Sequence, residues 1–174
     1  MADREPRVLI AYGTKNGSTA EIARHLGEVL AKEGCAMTVC PADEVGVDVS
    51  AYDAVVLGGA LYAGRWHRDA RRFARRARRD LATRPVWLFS SGPLDASAPD
   101  REIAPVRGVR RVADRIDARG HVTFGGRLDE HARGFTARMI VRSGRGGDYR
   151  SFEQVTAWAE GIARDARSAV SERT

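Results

Sequence analysis

The chain has 174 residues, enough for one domain with a sizeable core and short for two, and its 43% apolar and 30% charged composition excludes a disordered class. No apolar run approaches the roughly 20 residues of a membrane-spanning helix, and the charged start Met1–Pro6 lacks a secretory apolar stretch, so the expected location is the cytoplasm. Formal charge is +6 and the pI about 10.0, nearly all of it from arginine because Lys15 and Lys32 are the only lysines; the partners to expect are anionic.

Arg7–Tyr12 (RVLIAY) is a short apolar run ending at Gly13 and reads as a buried strand. Ile22, Ala23, Leu26, Val29 and Leu30 then recur at helical spacing until Gly34. Cys35–Cys40 is the second strand, closed by Pro41, and a short helix or turn covers Ala42–Ser50. Tyr52–Leu57 is the third strand, ending at Gly58-Gly59. From Arg65 to Leu81 one helical face carries Trp66, Ala70, Phe73, Ala77 and Leu81. Pro85–Phe89 is the fourth strand, followed by Ser90-Ser91-Gly92-Pro93. A helix over about Ile103–Ala118 leads to a fifth strand from His121 to Phe124. The spacing permits an extra helix over Phe135–Val141, and the last helix runs from Phe152 to Val170.

Five short apolar strands alternating with amphipathic helices require parallel pairing, because parallel strands need crossover connections. Right-handed crossovers place helices on both faces. The expected architecture is an α/β three-layer doubly wound fold, a single domain over 1–174, with a five-stranded parallel sheet of order 2-1-3-4-5. Cys35 and Cys40 are five residues apart on one strand, so their side chains point to opposite faces and a mutual disulfide is not expected. No Cys/His cluster suggests a metal.

The first strand runs directly into Gly13-Thr14-Lys15-Asn16-Gly17-Ser18-Thr19, and the first helix starts inside that loop. A phosphate dianion here meets unpaired backbone N–H groups and the positive end of a helix dipole. Thr14, Asn16, Ser18 and Thr19 add short hydrogen-bonding groups, and Gly17 lets the backbone turn. The loop lacks both GxxxxGK[ST] and GxGxxG, which argues against a nucleotide triphosphatase and a dinucleotide-binding fold. The competing explanation is an ordinary polar turn in which Ser18 or Thr19 caps the helix.

T-x-N-G-S-T after the first strand resembles the T-x-T-G-x-T phosphate loop of flavodoxins, with Asn16 in place of the middle threonine. Within that family the GGALYAGRWH stretch, the FTARMIVRSGRGGD segment and the FEQVTAWAEGIA helix are most similar to the menaquinone-dependent protoporphyrinogen oxidases. The resemblance implies a flavodoxin-like fold and a flavin mononucleotide (FMN), a deazaflavin being the alternative. It implies a phosphate site at Thr14, Lys15, Asn16, Gly17, Ser18 and Thr19. The flavin ring would lie between the loop after the third strand (Ala60, Leu61, Tyr62, Ala63, Gly64) and the loop after the fourth (Ser90, Ser91, Gly92), with Gly58, Gly59 and Gly64 allowing close approach. The chain departs from the oxidases where they have an arginine-tyrosine pair, here Tyr62-Ala63, and where they carry a long basic insert, here the mixed segment from Gly92 to Arg101.

Three functions remain open at this point: an oxidoreductase passing electrons from a donor such as protoporphyrinogen to a quinone or other acceptor, an electron carrier, and a flavin-binding module without turnover. Flavin chemistry belongs to the cofactor, so no catalytic residue is assigned. Trp66 is expected in the core, Tyr62 in a loop and His67 in solvent. The seven arginines between Arg68 and Arg79 read as a solvated helix face, or as a docking surface for an acidic protein or the anionic inner face of a membrane. Nucleic acid is not expected, since no aromatic residues interleave with that face.

Overall fold

The computed structural model describes residues 4–46, 48–92, 103–128, 147–148 and 150–173. Five parallel strands form the main sheet: β1 (Arg7–Gly13), β2 (Ala36–Pro41), β3 (Ala54–Tyr62), β5 (Val86–Ser91) and β6 (Gly120–Phe124). Their order is β2-β1-β3-β5-β6, which is the expected 2-1-3-4-5 arrangement. A two-residue strand β4 (Arg65–Trp66) pairs antiparallel with the end of β3, and β7 (Arg127–Leu128) pairs with β8 (Gly147–Asp148) as a separate ribbon.

Both faces of the sheet are covered, because strands as apolar as VLIA and AVVL bury side chains on both sides. On one face α1 (Ser18–Lys32) and α5 (Phe152–Ser171) pack Ile22, Leu26 and Ile162 against Val8, Ile10, Phe89 and Phe124. On the other, α2 (Arg68–Arg76), α3 (Arg78–Leu81) and α4 (Arg107–Ile116) bring Phe73, Leu81, Val109 and Ile116 onto Leu9, Val55, Leu57 and Leu88. Cys35 joins the first core and Cys40 packs against the second; both are free thiols on opposite faces. No helix among the described residues is long and apolar enough to cross a membrane.

Several elements differ from the sequence reading: the second strand shifts to Ala36–Pro41, and the fourth runs on through Ser90 to Ser91. The third strand continues five residues past Leu57, through Gly58-Gly59 to Tyr62. The two glycines do not end it because each makes room for a ring: a Cβ on Gly58 would collide with Phe89, and one on Gly59 with Trp66. Their role is packing within the sheet, not close approach to a ligand. Trp66 is correspondingly on β4 and not on the helical stripe. It is buried, as expected, and its Nε1–H donates to the Phe89 carbonyl at 3.3 Å. Ala63 (φ 48°) and Gly64 (φ 70°) form the two-residue turn between β3 and β4, the left-handed pair such a hairpin demands.

The long arginine-rich helix is two helices, interrupted at Ala77. The helix expected from Ile103 begins only at Arg107, because Pro105 biases Ala104 to extended backbone and Val106 is still extended (φ −61°, ψ 155°). The expected helix over 135–141 lies outside the described residues, as do Pro93 and Leu94.

Candidate functional site

At the carboxyl ends of β1, β3 and β5, where strand order reverses, a cleft forms. Its lining includes Thr14, Asn16, Ser18, Thr19, Ala60, Leu61, Tyr62, Ser91 and Gly92 from the sequence-predicted set. Lys15 and Gly17 face a second, polar hollow on the other side of the same loop, where Thr14 and Asn16 also appear. Ala63 and Gly64 stand at the hairpin turn and line neither hollow. Ser90 is fully buried within β5, and its hydroxyl lies 3.0 Å from His121 Nε2, so the structure does not bring it to the cleft.

The loop is built by β1 delivering the chain to Gly17, which adopts φ 86° and ψ −14° as the residue preceding α1. That left-handed backbone suits glycine, and a Cβ there would meet nothing within 4 Å. No side chain caps α1. The expected cap from Ser18 or Thr19 is absent, because Ser18 Oγ accepts from the Arg127 backbone N–H (3.1 Å) and Thr19 turns into the core side of the cleft. The Thr14 hydroxyl instead accepts from the Gly17 N–H at 3.0 Å and tightens the loop on itself. The first-turn N–H groups of α1 are thus left facing outward with the positive end of the helix dipole.

Thr19 is 0% exposed, and its hydroxyl has no hydrogen-bond partner. Leaving such a group unsatisfied costs about 1–3 kcal/mol, which a ligand oxygen at this place would recover. An orphaned hydroxyl beside uncapped amides therefore fits a bound phosphate ester.

Tyr62 closes the cleft opposite the loop. Asn16 Nδ2 donates to Tyr62 Oη at 2.5 Å, and Lys15 Nζ lies 5.8 Å from the Tyr62 ring centroid. Burial raises the Tyr62 phenol above its ordinary range, so it stays protonated. Tyr62 is not the loop residue the sequence suggested; it is the last residue of β3, held by Asn16 of the loop after β1.

Two lining residues escaped the sequence reading, Gly126 and Arg127. The signal was a basic residue directly after the Gly125-Gly126 pair that ends the fifth strand. Arg127 also bonds Glu21 (2.9 Å), the one acid in the first turn of α1. Arg150 bonds Glu21 and Asp148 as well, and hydrogen bonding to Arg150 first, then charge, holds the Glu21 carboxyl below its usual range. Acid at the positive end of a helix is ordinary, and these two guanidiniums neutralise this one.

His67 is half-buried and not solvated. Its Nδ1 accepts from the Asp69 N–H at 3.3 Å, capping α2, and burial lowers its pKa.

A family model described as "Flavodoxin domain" matches residues 9–149. The chain belongs to this flavodoxin family. Among solved structures, the flavodoxin domain here is similar to a flavodoxin from the domain Archaea (11% identity, 92% of this chain and 99% of that one, TM-score 0.63). It is similar also to a short-chain flavodoxin associated with a non-canonical PDU bacterial microcompartment (16% identity, 92% and 99%, TM-score 0.63). A third is rubredoxin oxygen:oxidoreductase from the anaerobe Desulfovibrio gigas (15% identity, TM-score 0.64), where 97% of this chain matches but spans only 38% of that one. Comparison with curated proteins gave no match. At these identities the structural likeness shows the fold, while the family match shows a flavodoxin domain and gives no support to the narrower protoporphyrinogen oxidase branch.

Proposed function

We propose that this flavodoxin domain binds FMN in the cleft and works as an electron-transfer flavoprotein. The observation that carries the reading is the fully buried, unpartnered Thr19 hydroxyl set beside an uncapped helix terminus. Thr14, Asn16, Ser18, Thr19 and the first-turn amides of α1 would hold the phosphate, with Arg127 adding charge at its edge. Ala60, Leu61, Tyr62, Ser91 and Gly92 would form the ring-side walls. When bound, FMN supplies a centre that takes up and releases one or two electrons.

The chain's own part is to bind, orient and exclude water. Gly92 donates its N–H to the Phe124 carbonyl at 2.8 Å, which fixes the β5 end of the cleft against β6. Among the described residues the cleft lining holds no carboxylate, histidine or thiol.

The test is the absorbance spectrum and mass of the cofactor that co-purifies with the chain, followed by reduction with a flavoprotein reductase. The expected result is one FMN per chain and stoichiometric reduction. Protein that is colourless and takes up no added FMN overturns the reading. The same preparation separates the other outcomes: a deazaflavin by mass, and an oxidase by turnover of protoporphyrinogen with a quinone.

A further inference from the structure

The arginines of α2 and α3 do not form an isolated face. Together with α4 they line a groove on the side of the sheet away from α1 and α5. One wall carries Arg71, Arg75, Arg78 and Arg79, and the other Arg111 and Arg115. All six are exposed, and among the described residues none of them is in an ion pair. Among the described residues the lining contains seven arginines, Arg76 being the seventh, and no carboxylate, whereas the whole chain nets only +6. The positive charge is therefore concentrated here, with the rest of the chain close to neutral. The floor is apolar: Ala74 and Ile116 are buried and Val112 half-buried.

We infer that this groove docks an acidic, amphipathic segment of a partner protein. Guanidiniums on two facing walls match carboxylates in bidentate geometry, and the apolar floor gives the segment's aliphatic side chains a place to bury. A flat bilayer does not fill a groove between two helices. The large apolar side chain exposed among the described residues is Phe152, on α5 at the opposite face, so none of the described residues beside the groove offers a large apolar side chain to lipid. A nucleic-acid strand is disfavoured because, among the described residues, no aromatic side chain lines the groove to stack on bases. Since α4 returns from the carboxyl ends of the strands, the Arg71 and Gly108 end of the groove lies towards the cleft end of the sheet. A partner seated there would stand beside the cleft.

The test uses the full chain and a fluorescent 14-residue peptide of alternating glutamate and leucine pairs, read by anisotropy. Phosphatidylserine vesicles and a charge-matched oligothymidylate are the competing probes. Binding is expected to weaken as salt rises from about 50 to about 200 mM. The pair Arg111→Glu/Arg115→Glu should weaken it at least about tenfold, and so should Arg75→Glu/Arg79→Glu on the other wall. Arg164→Glu on exposed α5 should change it less than about twofold. Thermal melts and FMN loading of each variant report folding and the cleft separately, so failure here is distinguishable from failure of the flavin reading. If either folded pair variant binds the peptide as the wild type does, or if vesicles or oligothymidylate bind more tightly than the peptide, the inference is overturned.

Discussion

Asn16 on the loop after β1 and Tyr62 at the end of β3 are joined across the cleft, amide nitrogen to phenol oxygen, at 2.5 Å. They are 46 residues apart in sequence, and the contact couples the group that would hold a phosphate to the wall that would face the ring. A half-buried hydrogen bond of this kind contributes about 1 kcal/mol. Tyr62→Phe should therefore weaken FMN binding roughly three- to tenfold, as read by flavin fluorescence quenching. Asn16→Ala in the Tyr62→Phe background should cost less than it does alone, because the two changes remove the same bond.

Gly17 combines a left-handed backbone with open space where a Cβ would point. Gly17→Ala should cost about 1–2 kcal/mol of stability through backbone strain alone. Gly17→Asp adds negative charge where a dianion would sit. It should abolish FMN binding while lowering the melting temperature no more than the alanine variant does. Parallel thermal melts and titrations check both halves.

The Gly58 and Phe89 pair makes a different prediction. A Cβ at residue 58 would overlap the Phe89 ring, which is buried against Phe124 and the half-buried Trp158. Gly58→Ala should destabilise by about 1–3 kcal/mol through overpacking. Phe89→Leu introduced beside it should recover part of that loss, measured by denaturant unfolding.

Acid should loosen the fold through His121. Burial pushes its pKa from 6.5 down to about 4, and its Nδ1 is buried without a partner while Nε2 meets the Ser90 hydroxyl. Between those values the unfolded chain binds a proton that the native chain does not, so stability falls as pH drops from 6.5 towards about 4. His67, shifted the same way, adds to the slope. His121→Asn should show a shallower fall in melting temperature over that window than the wild type.

Much of this was readable in the sequence because the strands are short apolar runs and the crossovers are amphipathic; the order and both covered faces follow from those two periods. The loop between β1 and α1, with Gly17 at its turn, was readable because Gly17 and its hydroxyl neighbours occur directly after the first apolar run. What local pattern could not show was any position set by a ring from elsewhere. Gly58-Gly59 looks like a strand end, but Phe89 and Trp66 fill the spaces their missing side chains leave, and the strand runs on to Tyr62. Ser90 looks like a loop residue, but its partner His121 lies on the neighbouring strand. Arg127 was missed for the same reason: its tie to Ser18 spans 109 residues.

Comparing a flavin with and without its phosphate decides whether the loop before α1 grips a phosphate or is an ordinary polar turn. Chain stripped of cofactor would be titrated with FMN and with riboflavin, which has the same ring and no phosphate. FMN should bind at least about tenfold more tightly, and Gly17→Asp should lose FMN while leaving riboflavin binding unchanged. Equal affinity for the two would contradict the phosphate reading.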